Sequence, residues 1–168
     1  MPDLVLDTNI LADLLAQYFT NDSRNSPVFQ RGGTISAQLA VAINRIVRMS
    51  SDPLIDRYTG HLVTSTLAFV EIARKWESIA QARFSVAQMA AFVAQPPEWF
   101  IIEPIDEFLV SALCSIPDEV RMPDGNLRSL EWTDAVHLAT ACVRGADTQM
   151  AASDREMRQY VPLRHSLM

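Results

Sequence analysis

Short, wholly apolar runs that end on an acid or a hydroxyl residue, and that alternate with stretches at helical spacing, restrict the fold of this chain more than any other feature. Leu4-Val5-Leu6 stops at Asp7, Thr8-Asn9 turn the chain, and Ile10, Leu11, Leu14, Leu15 and Tyr18 then recur at helical intervals. A strand that is apolar on both sides has to be covered on both faces, which is a property of parallel sheets. The pattern returns in His61-Leu62-Val63-Thr64, where Ser65 or Thr66 can cap a helix predicted over Leu67 to Ala80. A helix over Ser85 to Ala94 ends at Pro96-Pro97, and a third strand is predicted over Trp99 to Ile102. Asp106 can cap a helix running to about Ser115. Thr133 can cap the apolar helix AVHLATACV, which Gly145 terminates. A fourth strand covers Thr148 to Ala152, and Tyr160 to Leu163 reads as a fifth, at an edge because of Pro162.

Two segments interrupt this rhythm. Residues 20–33 are rich in turn formers and lead into a second amphipathic stretch built on Ile35, Leu39, Ala42, Ile43, Ile46 and Val47, with Arg45 and Arg48 off the stripe. Residues 117–129 read as a loop with a turn at Pro123-Asp124-Gly125. Strands alternating with helices imply an α/β fold with helices on both faces of a parallel sheet. Ligands then bind beyond the carboxyl ends of the strands, where the strand order switches direction.

At 168 residues with 49% apolar and 20% charged residues, the chain has the composition of an ordinary globular protein, not of a disordered or collagen-like one. No run is long and apolar enough for a membrane-spanning helix. The N-terminus carries Asp3, Asp7 and Asp13 and no basic region, so a cytoplasmic protein is expected. Cys114 and Cys142 lie in apolar runs and are expected to be small buried hydrophobes. The net charge of −6 argues against nucleic-acid binding by bulk electrostatics, though not against an enzyme that cuts nucleic acid at an acidic site. No Gly-rich phosphate loop is present, which disfavours nucleotide-driven chemistry.

Four carboxylates occupy expensive positions: Asp7 and Asp154 at strand ends, Glu71 alone within LAFVEIA, and Asp134 at the start of the apolar helix. Burying one such group costs several kcal/mol unless it is paired or holds a cation. Each has an ordinary explanation. Asp134 suits a helix N-terminus, and Glu71 can pair with Arg74 or Lys75 one turn on. Together they are harder to dismiss, because a parallel sheet gathers such ends along one edge. Like charges converge where a cation holds them, and Mg²⁺ or Mn²⁺ suits an all-carboxylate site.

LDTNIL near the start, the lone Glu71, TDAVHLATA and the late Ser153-Asp154 together resemble the PIN domain, and more narrowly the VapC-like toxin ribonucleases of type II toxin–antitoxin pairs. The resemblance covers most of the chain. It implies a PIN-like three-layer α/β/α sandwich with a central, mainly parallel sheet of four to five strands, as one domain over 1–168 with a longer helical insertion at about 20–57. It implies a Mg²⁺- or Mn²⁺-dependent endoribonuclease, an RNA substrate, a small antitoxin protein as partner, and a homodimer. The family's acids carry over to Asp7, Glu71, Asp134 and Asp154, with Asp7, Asp134 and Asp154 as metal ligands. The hydroxyl-bearing position after the first acid matches Thr8, and Asn9 completes the signature. Two departures stand out: Ala152 replaces a Thr common in the family, with Ser153 adjacent, and the 20–57 segment suggests a lid or a partner surface.

His137, three residues after Asp134, reads as a hydrogen-bonded core histidine. Arg74, Lys75 and Arg155 can reach a phosphate, against the plainer reading of solvated surface charge. Trp76 and Trp99 fall on core positions, leaving Trp132 as the aromatic to consider for stacking on RNA. Besides the nuclease, two readings stay open. One is a catalytically weak PIN-like module that binds RNA or protein. The other is a phosphatase with Asp7 as nucleophile, which lacks the usual second acid because Asn9 stands there.

Overall fold

The computed structural model describes residues 2–21, 26–50 and 60–160, together with the backbone of 164–165. Its strands are β1 (Leu4–Leu6), β2 (Leu62–Ser65), β3 (Phe100–Glu103), β4 (Glu119–Arg121), β5 (Leu127–Ser129), β6 (Gln149–Ala151) and β7 (Arg164–His165). Its helices are α1 (Thr8–Thr20), α2 (Ala37–Ser50), α3 (Thr66–Arg74), α4 (Trp76–Ile79), α5 (Val86–Ala94), α6 (Glu107–Leu113) and α7 (Trp132–Arg144). Five strands form an all-parallel central sheet in the order β3-β2-β1-β6-β7. The chain moves outward from β1 through β2 to β3, then returns to the other side of β1 with β6. The switch point therefore lies between β1 and β6, the two strands that end on Asp7 and lead to Asp154.

Alternation along each strand feeds two cores. Leu4 and Leu6 join residues of α1, α2, α3 and α5 on one face, while Val5 and Met150 join Leu109 of α6 and Leu138 of α7 on the other. The result is a three-layer α/β/α sandwich, as the alternation of apolar runs requires. Phe29 and Ile35, which precede α2, and Leu39 and Ile43 of its apolar stripe are fully buried in the first core. Asn44 fastens the preceding loop by accepting from Phe29 N and donating to Phe29 O, both at 2.7 Å. Asp13 of α1 accepts from the backbone and hydroxyl of Thr34 at 2.5 Å each and pairs with Arg83. Gly33 turns there at φ +56°, and a Cβ would collide with the Asp13 carboxylate.

Several expectations need correction. The segment 117–129 is not all loop: β4 and β5 pair antiparallel around the predicted turn, with Gly125 at φ +85°. Only Val120 of this hairpin's strands is buried, so no alternating apolar pattern announced it. The helix predicted over 67–80 breaks at Lys75 into α3 and α4, which lets Trp76 stack edge-on against Phe84. α7 begins two residues earlier than predicted, with Glu131 and not Thr133 in the N-cap position and no side-chain cap bond. Trp132 is thus helical. Cys114 is exposed at the end of α6 and Cys142 half-buried, so neither is a core hydrophobe. Of the predicted fifth strand, residues 161–163 lie outside the described residues; β7 at 164–165 occupies the sheet edge. Among the described residues, no helix is long and apolar enough to cross a membrane.

Candidate active site

Asp7 leaves β1 at its carboxyl end and caps α1, its Oδ1 accepting from Ile10 N at 2.9 Å. Its other oxygen faces β6. There Oδ2 accepts from the Ser153 hydroxyl at 2.6 Å and from Ser153 N, so two neighbouring strand ends are tied by one carboxylate. Asn9 Nδ2 donates to the same Ser153 hydroxyl at 3.2 Å. The buried Ala152 offers no hydroxyl, and Ser153 supplies one to Asp7 from the next position.

Glu71 projects from α3 into a set of partners. Lys75 donates to its Oε1 at 2.8 Å, and the Thr8 hydroxyl donates to its Oε2 at 2.5 Å. His137 of α7 completes the set, with Nε2 3.0 Å from Thr8 Oγ1 and 4.0 Å from Glu71 Oε2. At 4.0 Å the ring is too far for a direct hydrogen bond to the carboxylate, so its contact runs through Thr8. The His137 ring is the largest influence drawing Glu71 down to about 2; burial opposes it, and Lys75 and Thr8 add to it. Glu71 in turn raises Lys75 above its ordinary value.

Asp134 and Asp154 have the reverse surroundings. Neither side chain has a hydrogen bond or ion pair among the described residues. Burial pushes Asp134 up to about 7, aided by the charges of Asp154, Glu131 and Asp7 and opposed by His137. Burial and the Asp7 charge likewise raise Asp154. All four predicted acids line one cavity of about 280 Å³, together with Glu131, Thr8, Asn9, Lys75, Ser78, Ile79, Thr133 and His137. The chemistry of Asp7, Asp134 and Asp154 suits a hard divalent cation: oxygen donors of one sign that repel one another, with Asp7 buried, Asp134 half-buried and Asp154 open to solvent. Among the described residues, however, no three His, Cys, Asp or Glu side chains converge closely enough to hold a metal ion as they stand.

No protein-family model matches the chain, and no curated protein sequence matches it. Among solved structures, the crystal structure of Mycobacterium tuberculosis VapC20, a sarcin-ricin loop cleaving toxin, is similar over 96% of this chain and 99% of that chain. The two share 15% sequence identity at a TM-score of 0.46.

The fold brings Asp7, Thr8, Asn9, Glu71, Asp134 and Asp154 together around the cavity, with Ser153 bonded to Asp7 behind it. The remaining sequence candidates fall outside. Trp132 is 69% exposed at the start of α7, and Arg74 is exposed on α3 beside a Lys75 that does line the cavity. Arg155 lines a separate groove of about 380 Å³ with Met122, Asp124 and Arg158. Two residues gain weight over the sequence reading. Glu131 adds a fifth acid, signalled only by its place three residues before Asp134. His137 is a core histidine, as expected, but the hydrogen-bond partner of its ring among the described residues, Thr8, belongs to the cavity wall.

Proposed function

We propose that this protein is a divalent-metal-dependent endoribonuclease that hydrolyses RNA phosphodiester bonds. The observation that carries this reading is the pair Asp134 and Asp154: a half-buried and an exposed carboxylate, neither with a side-chain partner among the described residues, sharing a small cavity with Asp7 at the switch point of a parallel sheet. Groups arranged this way raise each other's proton affinity and favour a cation that relieves them. Asp7, Asp134 and Asp154 would hold Mg²⁺ or Mn²⁺, which supplies activation of water and neutralisation of charge at the scissile phosphate. Asp7 is the most fixed of the three, anchored by Ile10 N and Ser153. Glu71 holds Lys75 at the cavity wall, where the ammonium has donors left for a phosphate oxygen. The motif resemblance extends the reading to the toxin of a type II toxin–antitoxin pair, with a small antitoxin as inhibitor, a homodimer as the assembled form and the cytoplasm as its place of action.

The test is cleavage of a mixed RNA pool with Mg²⁺, with Mn²⁺, with chelator, and by Asp7→Asn. Metal-dependent cuts that fall more than about a hundredfold in the variant are expected. Asparagine still caps α1, so circular dichroism should be unchanged. Equal cleavage by Asp7→Asn in saturating metal would sink the assignment. A second reading, an RNA- or protein-binding module without turnover, is favoured by the failure of any three acids to converge. RNA retention without cleavage, indifferent to chelator, would select it.

A further inference from the structure

The Thr8 hydroxyl has one hydrogen and two neighbours that compete for it, Glu71 Oε2 at 2.5 Å and His137 Nε2 at 3.0 Å. A carboxylate that also holds an ammonium at 2.8 Å only accepts. The Thr8 hydrogen therefore goes to Glu71, because the reverse leaves two oxygen lone pairs facing each other at 2.5 Å. Thr8 Oγ1 can then only accept from the ring, which requires a hydrogen on Nε2. The other ring nitrogen gives an independent argument. His137 is 1% exposed, and its Nδ1 is buried with no hydrogen-bond partner among the described residues. A hydrogen there would be a buried donor without an acceptor, the costlier of the two ways to leave that atom.

We infer that His137 is a positioning residue: its ring carries the hydrogen at Nε2 and sends a one-way chain of hydrogen bonds through Thr8 to Glu71, which fixes the Lys75 ammonium on the cavity as the contact for a substrate phosphate. The tautomer assignment stands on geometry alone, whereas the phosphate contact rests on the nuclease reading. Without the ring, Thr8 Oγ1 loses the donor that holds and polarises it, the Thr8–Glu71 bond weakens, and Glu71 and Lys75 are held less firmly at one place. Lys75 and His137 are the two cavity-lining residues able to carry positive charge, and the chain links one to the other.

Long-range proton–nitrogen NMR of the full-length, ¹⁵N-labelled protein at pH 7 reads the tautomer of His137 directly. A hydrogen on Nε2 with Nδ1 bare is expected; a hydrogen on Nδ1 overturns the inference whether or not RNA is cut. For the positioning role, Gln places an amide N–H near the Nε2 position, Asn places it near Nδ1, and Leu fills the volume without a donor. His137→Leu and His137→Asn should lower kcat on the RNA pool about ten- to a hundredfold, and His137→Gln should recover most of that loss. Gln no better than Leu, at matched melting temperatures, would refute positioning. A parent protein with the expected tautomer that cuts no RNA removes the nuclease reading and the phosphate contact with it, but not the tautomer.

Discussion

Glu71 and Asp134 line the same cavity, some 60 residues apart in sequence, and their surroundings drive them in opposite directions. Glu71 has a donor on each oxygen and is drawn down to about 2, while Asp134 has acids around it, no hydrogen-bond or ion-pair partner among the described residues, and is pushed up to about 7. One wall of the cavity is internally paired: Lys75 and Thr8 each donate to Glu71, and His137 contacts Thr8. The facing wall of Asp134, Asp154 and Glu131 is open: among the described residues neither Asp134 nor Asp154 has a side-chain partner, and their charges oppose one another. A count of acids cannot separate these cases, since it is the partners of each carboxylate that set its proton affinity.

The largest break in this contrast should come from the paired wall. Glu71→Gln leaves Lys75 without its ion pair and should cost about 1–3 kcal/mol at pH 7, read by urea unfolding. Glu71 has its proton affinity lowered on folding, so its stabilisation is present above its ordinary pKa of 4.5 and is lost as pH falls from there toward 2. The parent should therefore shed stability over that acid range, and the variant should shed less. A parallel pH dependence in the two proteins would show that Glu71 is not held ionised.

A smaller effect of opposite sign is expected at the open wall. Folding raises Asp134, so its contribution is favourable below its ordinary value of 3.8 and is lost as pH rises through about 7. Chelated Asp134→Asn protein should then be the more stable at pH 8, by about 1–2 kcal/mol after allowance for its partial exposure, with the gap closing toward pH 4. Saturating Mg²⁺ should raise the melting temperature of the parent and much less that of the variant. Identical melting curves with and without metal would argue against a cation at this wall. The smallest effect belongs outside both walls: Trp132→Ala and Arg74→Ala alter exposed residues and should stay within about 0.5 kcal/mol of the parent in stability.

The sheet was legible because its signal is local. Leu4-Val5-Leu6 has to be buried on both faces wherever it lies, and that alone asks for helices above and below. The β4–β5 hairpin was not legible, since strands exposed on most of their length owe their pairing to the backbone and to Gly125, not to an apolar period. The break at Lys75 was hidden for a related reason: Ile72, Trp76 and Ile79 keep a helical stripe across it, and the change of direction answers to Phe84, which arrives from outside the helix.

The sequence by itself determined the α/β class, the strands that carry Asp7 and Asp154, and the short list of acids in costly positions. These follow from local periodicity and from the price of burying a charge, both of which act on the chain whatever its final shape. The pairing of Glu71 with Lys75 one helical turn on was also legible, but only the tertiary structure decided which acids gain partners from distant parts of the chain. Thr8, Glu71 and His137 are separated by 63 and 66 residues, and their hydrogen bonds exist only because β1, α3 and α7 pack around one cavity. The same packing left Arg74, Trp132 and Arg155 outside it and brought Glu131 in. Hydrogen bonds and Coulomb forces at this range act over a few ångströms, and those distances belong to the fold.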